Sequence, residues 1–186
     1  MELVRPARLY LDGYIDALQR GWSADNVRGA AAAREELTAI ERDPDAFLAG
    51  CEDLEAKGPP LTMPDGTTMN RLPGYRRWLW DGAFCGSIGF RFQRGTSALP
   101  PGFPFGHIGY AVVPWKRRQG YATRALALLL EEIRPFGLHS VLLTTDVDNR
   151  PSQRVIENVG GLLVERFEKP AYVGGGPALL WRIDLG

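Results

Sequence analysis

A chain of 186 residues that is 45% hydrophobic, 24% charged and formally neutral is long enough for one domain with a substantial core and short for two. Neutrality excludes a global field that would draw the chain to DNA or to an anionic membrane, so neither nucleic acid nor membrane is an expected partner. No apolar run approaches the roughly 18 residues of a spanning helix. The charged start MELVRPARLYLDGY has no signal-peptide core, so the cytoplasm is the expected compartment. Cys51 and Cys85 stand in unlike contexts without metal-like spacing, which predicts buried free thiols and no metal site.

In chain order, MELVRP predicts a short first strand and ARLYLDGYIDALQRGW a helix. Residues 26 to about 55 read as an alanine-rich helical region interrupted at Pro44. The Pro- and Gly-rich segment 57–74 is a long loop, a candidate wall or lid of a site. Asp81-Gly82 lies between two strand-like runs and predicts a hairpin with a type I′ turn. Trp78 and Trp80 share one face of the first run, which favours core packing over a substrate platform. A second loop, 95–106, carries Phe103 and Phe105 as candidates for lining a pocket, and HIGYAVVP is the next strand.

A helix from about Gly120 presents Ala122, Ala125, Leu126, Leu129 and Ile133 on one face and stops at Pro135 and Gly137. The apolar run SVLLTT (140–145) predicts a strand buried on both faces. Residues 149–159 form another helix, with Asn149 as N-cap and Gly160-Gly161 as its stop. Final strands are expected at 162–168 and 178–184, with Gly174 to Gly176 in a hairpin loop between them. The order predicts one mixed α/β domain over residues 1–186. Its strand–helix–strand piece, 107–145, predicts a parallel pair with the turn after the first strand at a ligand-binding end.

That turn holds Lys116, Arg117, Arg118 and Gly120. A helix N-terminus carries unpaired N–H groups and partial positive charge, and a glycine lets an anion approach the backbone. The pattern points to a phosphate cradle. Neither the Walker form nor the dinucleotide form G-x-G-x-x-G is present.

What RRQGYA (117–122) does resemble is the R/Q-x-x-G-x-G/A turn of the GNAT superfamily of acyl-CoA N-acyltransferases, with Arg117, Gly120 and Ala122 on the three marked positions. Downstream, DVDNRPSQRVIENVGG resembles the second half of that family's core, where an asparagine and a small residue three positions on face the cofactor; these are Asn149 and Ser152. The resemblance is specific over about 107–165. It looks closest to a branch of predicted acetyltransferases and shares features with ribosomal-protein N-terminal acetyltransferases. It implies a central twisted mixed sheet flanked by helices, with acetyl-CoA as acyl donor. It further implies that Arg117, Arg118, Gln119, Gly120, Tyr121, Ala122 and Thr123 surround the pyrophosphate, and that Ala111, Val112 and Val113 form a strand edge for the pantetheine arm. Homodimers are common in the family, but no sequence stripe identifies an interface here.

The implied reaction is acetyl transfer to a primary amine, ranked as a small-molecule amine, then a protein N-terminus, then a lysine. His107, opening the cofactor-binding strand, is the candidate general base, because its ordinary pKa near 6.5 leaves it able to accept a proton, with a structural histidine bonding the adjacent loop as the equal alternative. The family's frequent acid, a tyrosine seven residues after the asparagine, is replaced by Ile156. Tyr110, Tyr121 and Tyr172 are the substitutes, with Tyr110 taken as the catalytic candidate and water as the alternative. His139 reads as structural, and Asp146 and Asp148 as turn and cap residues. The missing tyrosine motivates the rival reading, a non-catalytic acyl-CoA-binding or regulatory module.

Overall fold

Strands with alternating apolar residues need a partner layer on each buried face, and the computed structural model shows how the chain supplies them. It describes residues 1–25, 27–62, 66–101, 103 and 105–186. In chain order the elements begin β1 (Glu2–Val4), α1 (Arg8–Gln19), α2 (Ala30–Arg42), α3 (Pro44–Gly50), β2 (Glu52–Asp53), β3 (Leu61–Thr62) and β4 (Thr68–Met69). They continue β5 (Gly74–Trp80), β6 (Phe84–Arg91), β7 (Ile108–Val112), α4 (Tyr121–Ile133), β8 (Ser140–Asp146), α5 (Arg150–Glu157), β9 (Leu162–Glu168) and β10 (Pro177–Asp184). One sheet runs β1-β5-β6-β7 with β2 also on β5, a second runs β8-β10-β9, and β3 pairs with β4. No helix among the described residues is long and apolar enough to cross a membrane.

Two apolar clusters lie on opposite faces of the first sheet. On one, α4 lays Leu126, Leu129 and Ile133 against Ile88 and Phe90, and Val141, Leu143 and Trp181 of the second sheet join them. On the other, Tyr14, Leu18 and Trp22 of the first helical segment pack on Trp78 and Phe84. Each fully buried Leu, Ile or Phe of this kind contributes roughly 1.5–3 kcal/mol. Trp78 is thus a core residue, stacked on Tyr14 with ring centroids 4.5 Å apart. A bulge places Phe84 and Ile88 on different faces: the β5–β6 register skips Cys85, and Gly86 takes φ 147° with its Cβ position 2.2 Å from the Ala111 carbonyl oxygen. No side chain fits there.

The helical region expected to reach about residue 55 ends at Gly50, before β2, and the loop expected over 57–74 contains the short pair β3 and β4. Three further expectations change. The β5–β6 hairpin is not a two-residue type I′ turn, because Trp80 pairs with Phe84 across a three-residue loop and only Gly82 takes a positive φ. The extra residue in β6 shifts the register by the amount the longer loop absorbs. The strand at 140–146 is not buried on both faces, since Val141, Leu143 and Thr145 are buried while Ser140, Leu142 and Thr144 are half-buried and Asp146 is exposed.

The third change matters most for function. Every ladder among the described residues is antiparallel, and β7 and β8, expected as a parallel pair, form no ladder. They meet at His107, whose N–H donates to the Leu142 carbonyl (2.6 Å) and whose Nδ1 accepts from the Leu142 N–H (2.8 Å). The His107 carbonyl turns to β6 and accepts from the Arg91 N–H (2.8 Å), so no further rung to β8 forms and the pairing ends there. The chain still has the expected class, a mixed α/β fold with sheets flanked by helices.

Candidate functional site

Where β7 and β8 part, a cleft of about 430 Å³ opens. Its walls come from β7 (Ile108 to Tyr110), β8 (Leu143 to Asp146) and the start of α5 (Asn149, Ser152). The segment after α1 adds Ala24, Asp25 and Arg28, the 57–74 and 95–106 segments add Leu61, Thr62, Phe105 and Gly106, and the β9–β10 connection adds Tyr172 and Val173. Both loops expected near a pocket therefore contribute, although residues 63–65, 102 and 104 lie outside the described residues. A second cavity of about 420 Å³ adjoins, with Leu61 and Arg91 lining both and Phe103 lining this one.

The β7 edge can be read peptide by peptide. Val113 donates its N–H to Cys85 (3.0 Å), and the Ala111 carbonyl also faces β6. Strand peptides alternate in direction, so Tyr110 and Val112 turn their backbone groups to the open side. There Arg117 Nε reaches the Val112 carbonyl at 3.3 Å. Of the edge residues expected for a ligand, Ala111 and Val113 have their backbone groups turned to β6, and Val112 keeps its own toward the opening.

After Val113 the chain turns into α4. Arg118 and Gly120 both take positive φ (60° and 77°), and Gly120 is the N-cap with open space at its Cβ position. No side chain caps this helix. The first amide within it that finds a backbone acceptor is that of Arg124, on Gly120 (3.0 Å). The N–H groups of Arg118 to Thr123 meet no acceptor among the described residues, and Arg118 to Gly120 are exposed, which is the setting of an anion site. The cations divide. Lys116 Nζ pairs with Asp81 at 2.7 Å, and Tyr121 donates to the same carboxylate, which these contacts hold well below its usual pKa range. These two side chains fasten the turn to the β5–β6 hairpin. Arg118 and Gln119 are exposed.

At the cleft, Tyr110 donates its hydroxyl to the Ser152 carbonyl (3.3 Å), and burial pushes its pKa up to about 12. Asn149 accepts from the Ser152 N–H at 3.2 Å, capping α5. Ile156, at the position where a tyrosine was expected, is buried at the cleft floor. Trp181 Nε1 donates to Thr145 Oγ1 (3.0 Å), and Gln153 Nε2 donates to the carbonyls of Asp146 and Val147 (3.1 and 3.0 Å), which fixes the far wall.

His107 is fully buried, and burial together with nearby Arg91 lowers its pKa to about 4. Because Nδ1 accepts from Leu142, the ring proton sits on Nε2, which has no partner among the described residues. The lone pair a general base would use is committed to the backbone. His139 lies at the start of β8, its carbonyl accepting from Leu185 (2.9 Å) and its N–H donating to Ser97 (2.8 Å).

Several cleft residues were absent from the sequence reading, among them Asp25, Arg28, Arg91, Lys169 and Val173. For Arg91 a signal existed: in SIGFRF it falls on the same strand face as Ser87 and Gly89, the one long polar side chain on a face of small residues. The others come from remote segments that only folding brings together.

A strand edge opens onto a cleft and leads into a helix whose first amides are unsatisfied, and comparison with known proteins shows which family builds such a fold. No curated protein matches the chain. Among solved structures, the microcin C7 self-immunity acetyltransferase MccE, in complex with acetyl-CoA and AMP, shares 13% identity over 98% of this chain and 91% of that one, with a TM-score of 0.61. The yncA protein of Salmonella typhimurium, solved with its cofactor acetyl-CoA, is 13% identical over 100% and 94%, with a TM-score of 0.56. A Vibrio cholerae protein provisionally assigned as a ribosomal-protein-serine acetyltransferase is 14% identical over 98% and 92%, with a TM-score of 0.57. These likenesses establish the fold. The family model described as "Acetyltransferase (GNAT) family" matches residues 34–160, more than half of the chain, and so the chain belongs to the GNAT family of acetyltransferases.

Proposed function

We propose that the protein transfers the acetyl group of acetyl-CoA to a primary amine, by direct attack of the neutral amine on the thioester carbonyl. The observation that carries the reading is the continuity of the open β7 edge, which leads from the cleft to the free amides of Arg118 to Thr123. Those amides suit the donor's pyrophosphate, with Arg117 and Arg118 alongside. The open-side backbone groups of Tyr110 and Val112 suit the amide-bearing arm, and an N–H on that edge stabilises negative charge developing on the carbonyl oxygen. Asn149 and Ser152 line the wall opposite β7.

In the transfer the amine nitrogen bonds to the carbonyl carbon and gives up one of its protons to solvent, the carbon–sulfur bond breaks, and the thiolate takes a proton. Tyr110 is our donor for that proton: it lines the cleft, a pKa of about 12 keeps it protonated at neutral pH, and its hydroxyl turns from its long contact with the Ser152 carbonyl (3.3 Å) to the sulfur. Solvent restores it. His107 is a positioning residue that holds the two strands where they begin to part. The cleft's carboxylates are already engaged, Asp25 with Arg28 and Asp146 with Lys169, so the amine loses its proton to solvent. This favours amines of low pKa: a lysine-like amine is neutral about one time in 2,500 at pH 7, a peptide α-amine about a tenth of the time. A small-molecule amine remains the first-ranked acceptor. The buried, unpaired Cys51 and Cys85 agree with a cytoplasmic location.

The test is acetyl-CoA calorimetry on the wild type and on Gly120→Glu, followed by acceptor-dependent release of free thiol. Gly120→Glu, which puts a negative charge and a disfavoured φ into the turn, is expected to lose at least tenfold in affinity, a loss of about 1.4 kcal/mol or more. Tyr110→Phe is expected to keep donor binding and lose turnover. Equal donor binding by the wild type and Gly120→Glu would place the donor elsewhere. Tight binding with no thiol release across an amine panel would favour the non-catalytic binding module.

A further inference from the structure

Within the acceptor cleft one charge stands apart. Arg28 is paired with Asp25 and Glu35 (2.9 and 2.8 Å), and Lys169 with Asp146. On the neighbouring strand β5, Arg76 reaches Glu36 at 3.1 Å, and Arg77 reaches Glu52 and Glu132 at 3.2 and 2.7 Å. Arg91 also projects from the sheet and lines both cavities, yet has no carboxylate partner among the described residues. Its nearest aromatic companion is the Phe105 ring, 5.6 Å from the guanidinium carbon. Burial, with a smaller contribution from Arg76, lowers its pKa to about 10, so at neutral pH it remains a cation.

The sheet gives this side chain room. Gly89 pairs with Gly109 across β6 and β7, and Arg91 Nη2 lies 3.5 Å from where a Cβ on Gly109 would stand. The guanidinium therefore extends along β7 beside the residue before Tyr110. Leaving a half-buried cation unpaired is unfavourable unless something fills the gap, and a planar guanidinium matches carboxylate and phosphate oxygens two at a time. Among the described residues of the cleft wall, Arg28, Arg91 and Lys169 face Asp25 and Asp146, an excess that disfavours a polycationic acceptor.

We propose that the acceptor is an acidic amine, one that carries a carboxylate or phosphate group which pairs with Arg91 while its amino group lies at the Tyr110 edge. This rests on the reading of the cleft as the acceptor side of an acetyltransferase. The donor's phosphates do not compete for Arg91, because the free amides that suit them lie beyond Val112, at the start of α4.

The experiment uses the full chain with acetyl-CoA and matched acceptors: glycine against glycinamide for a carboxylate, phosphoethanolamine against ethanolamine for a phosphate. The wild type is expected to prefer the acid of at least one pair in kcat/KM by roughly ten- to a hundredfold, the range of a charge-assisted contact. For the first pair the preference runs against intrinsic reactivity, since the amide has the less basic amine. Arg91→Gln is expected to raise KM for the acid and erase the preference, and Arg91→Lys to restore part of it, with acetyl-CoA affinity by calorimetry retained in both. The pair that responds identifies the anion. Equal turnover of acid and neutral partner in both pairs, or the same preference in wild type and Arg91→Gln, would overturn the proposal.

A second arm needs no turnover. Titrating inorganic phosphate and acetate in the presence of saturating CoA, which occupies the α4 amides, is expected to raise the melting temperature of the wild type and not of Arg91→Gln. If no acceptor is acetylated, the transferase reading fails, and this arm still decides Arg91: a shift confined to the wild type supports the anion site, and equal shifts in both proteins remove it.

Discussion

His107 shows how one side chain joins the two sheets and what that costs in acid. Its folded pKa of about 4 lies below the ordinary 6.5, so the unfolded chain binds more protons between these values. Stability from this residue is therefore fully present above pH 6.5 and is lost as the pH falls toward 4. The loss is about 2 kcal/mol by pH 5 and roughly 3 kcal/mol in full. Urea denaturation at pH 7.5 and pH 5 checks this, with His107→Gln as the comparison: the wild type is expected to lose the larger amount, and the variant to be nearly flat over the window. A wild-type curve as flat as the variant's would mean that His107 titrates normally. The sequence showed a histidine opening a strand and suggested a base. It could not show that Leu142, 35 residues on, would take the Nδ1 lone pair.

At the scale of elements, sequence logic was most reliable where the physics is local. Asn149 and Gly120 were named as the starts of two helices, and both are N-caps, because each acts on its immediate neighbours, Asn149 through its side-chain oxygen and Gly120 through its positive φ. The two roles differ. Asn149 satisfies an amide of α5, so Asn149→Ala is expected to destabilise the protein by about 1 kcal/mol. That is a fall of about 2–4 °C in melting temperature for a chain of this size, which differential scanning calorimetry would detect. Asn149→Asp, keeping an acceptor oxygen, should recover most of it. Gly120 leaves its amides unsatisfied instead, and an uncapped helix is the arrangement expected where a ligand caps it. The hairpin at Asp81 was less legible. Its turn type was set by the bulge at Gly86 and by Lys116 and Tyr121, which arrive from beyond the next strand.

For the whole molecule the decisive feature is that the two sheets touch at Gly106 and His107 and then part. A Cβ on Gly106 would stand 2.4 Å from the Leu142 carbonyl oxygen and 2.6 Å from Leu143 Cα. Gly106→Ala must therefore push the sheets apart or break the contacts of His107. A cost of about 1–3 kcal/mol is expected from such overpacking, read as a lower urea midpoint, together with weaker acetyl-CoA binding because the cleft is displaced. Unchanged stability in Gly106→Ala would mean that the junction is looser than the contacts imply. By itself the sequence determined the longer helices and strands, though not the two-residue strands β2, β3 and β4, the cationic turn with its glycine, and through RRQGYA and the Asn149–Ser152 segment the family. All of these depend on periodicity, φ preferences and short spacings that a chain carries locally. Tertiary structure alone decided that β7 and β8 separate, that His107 is committed to the backbone, and that Arg91 stands in the cleft without a carboxylate among the described residues. Each depends on which groups from distant segments meet, and pairing, burial and charge satisfaction exist only once they do.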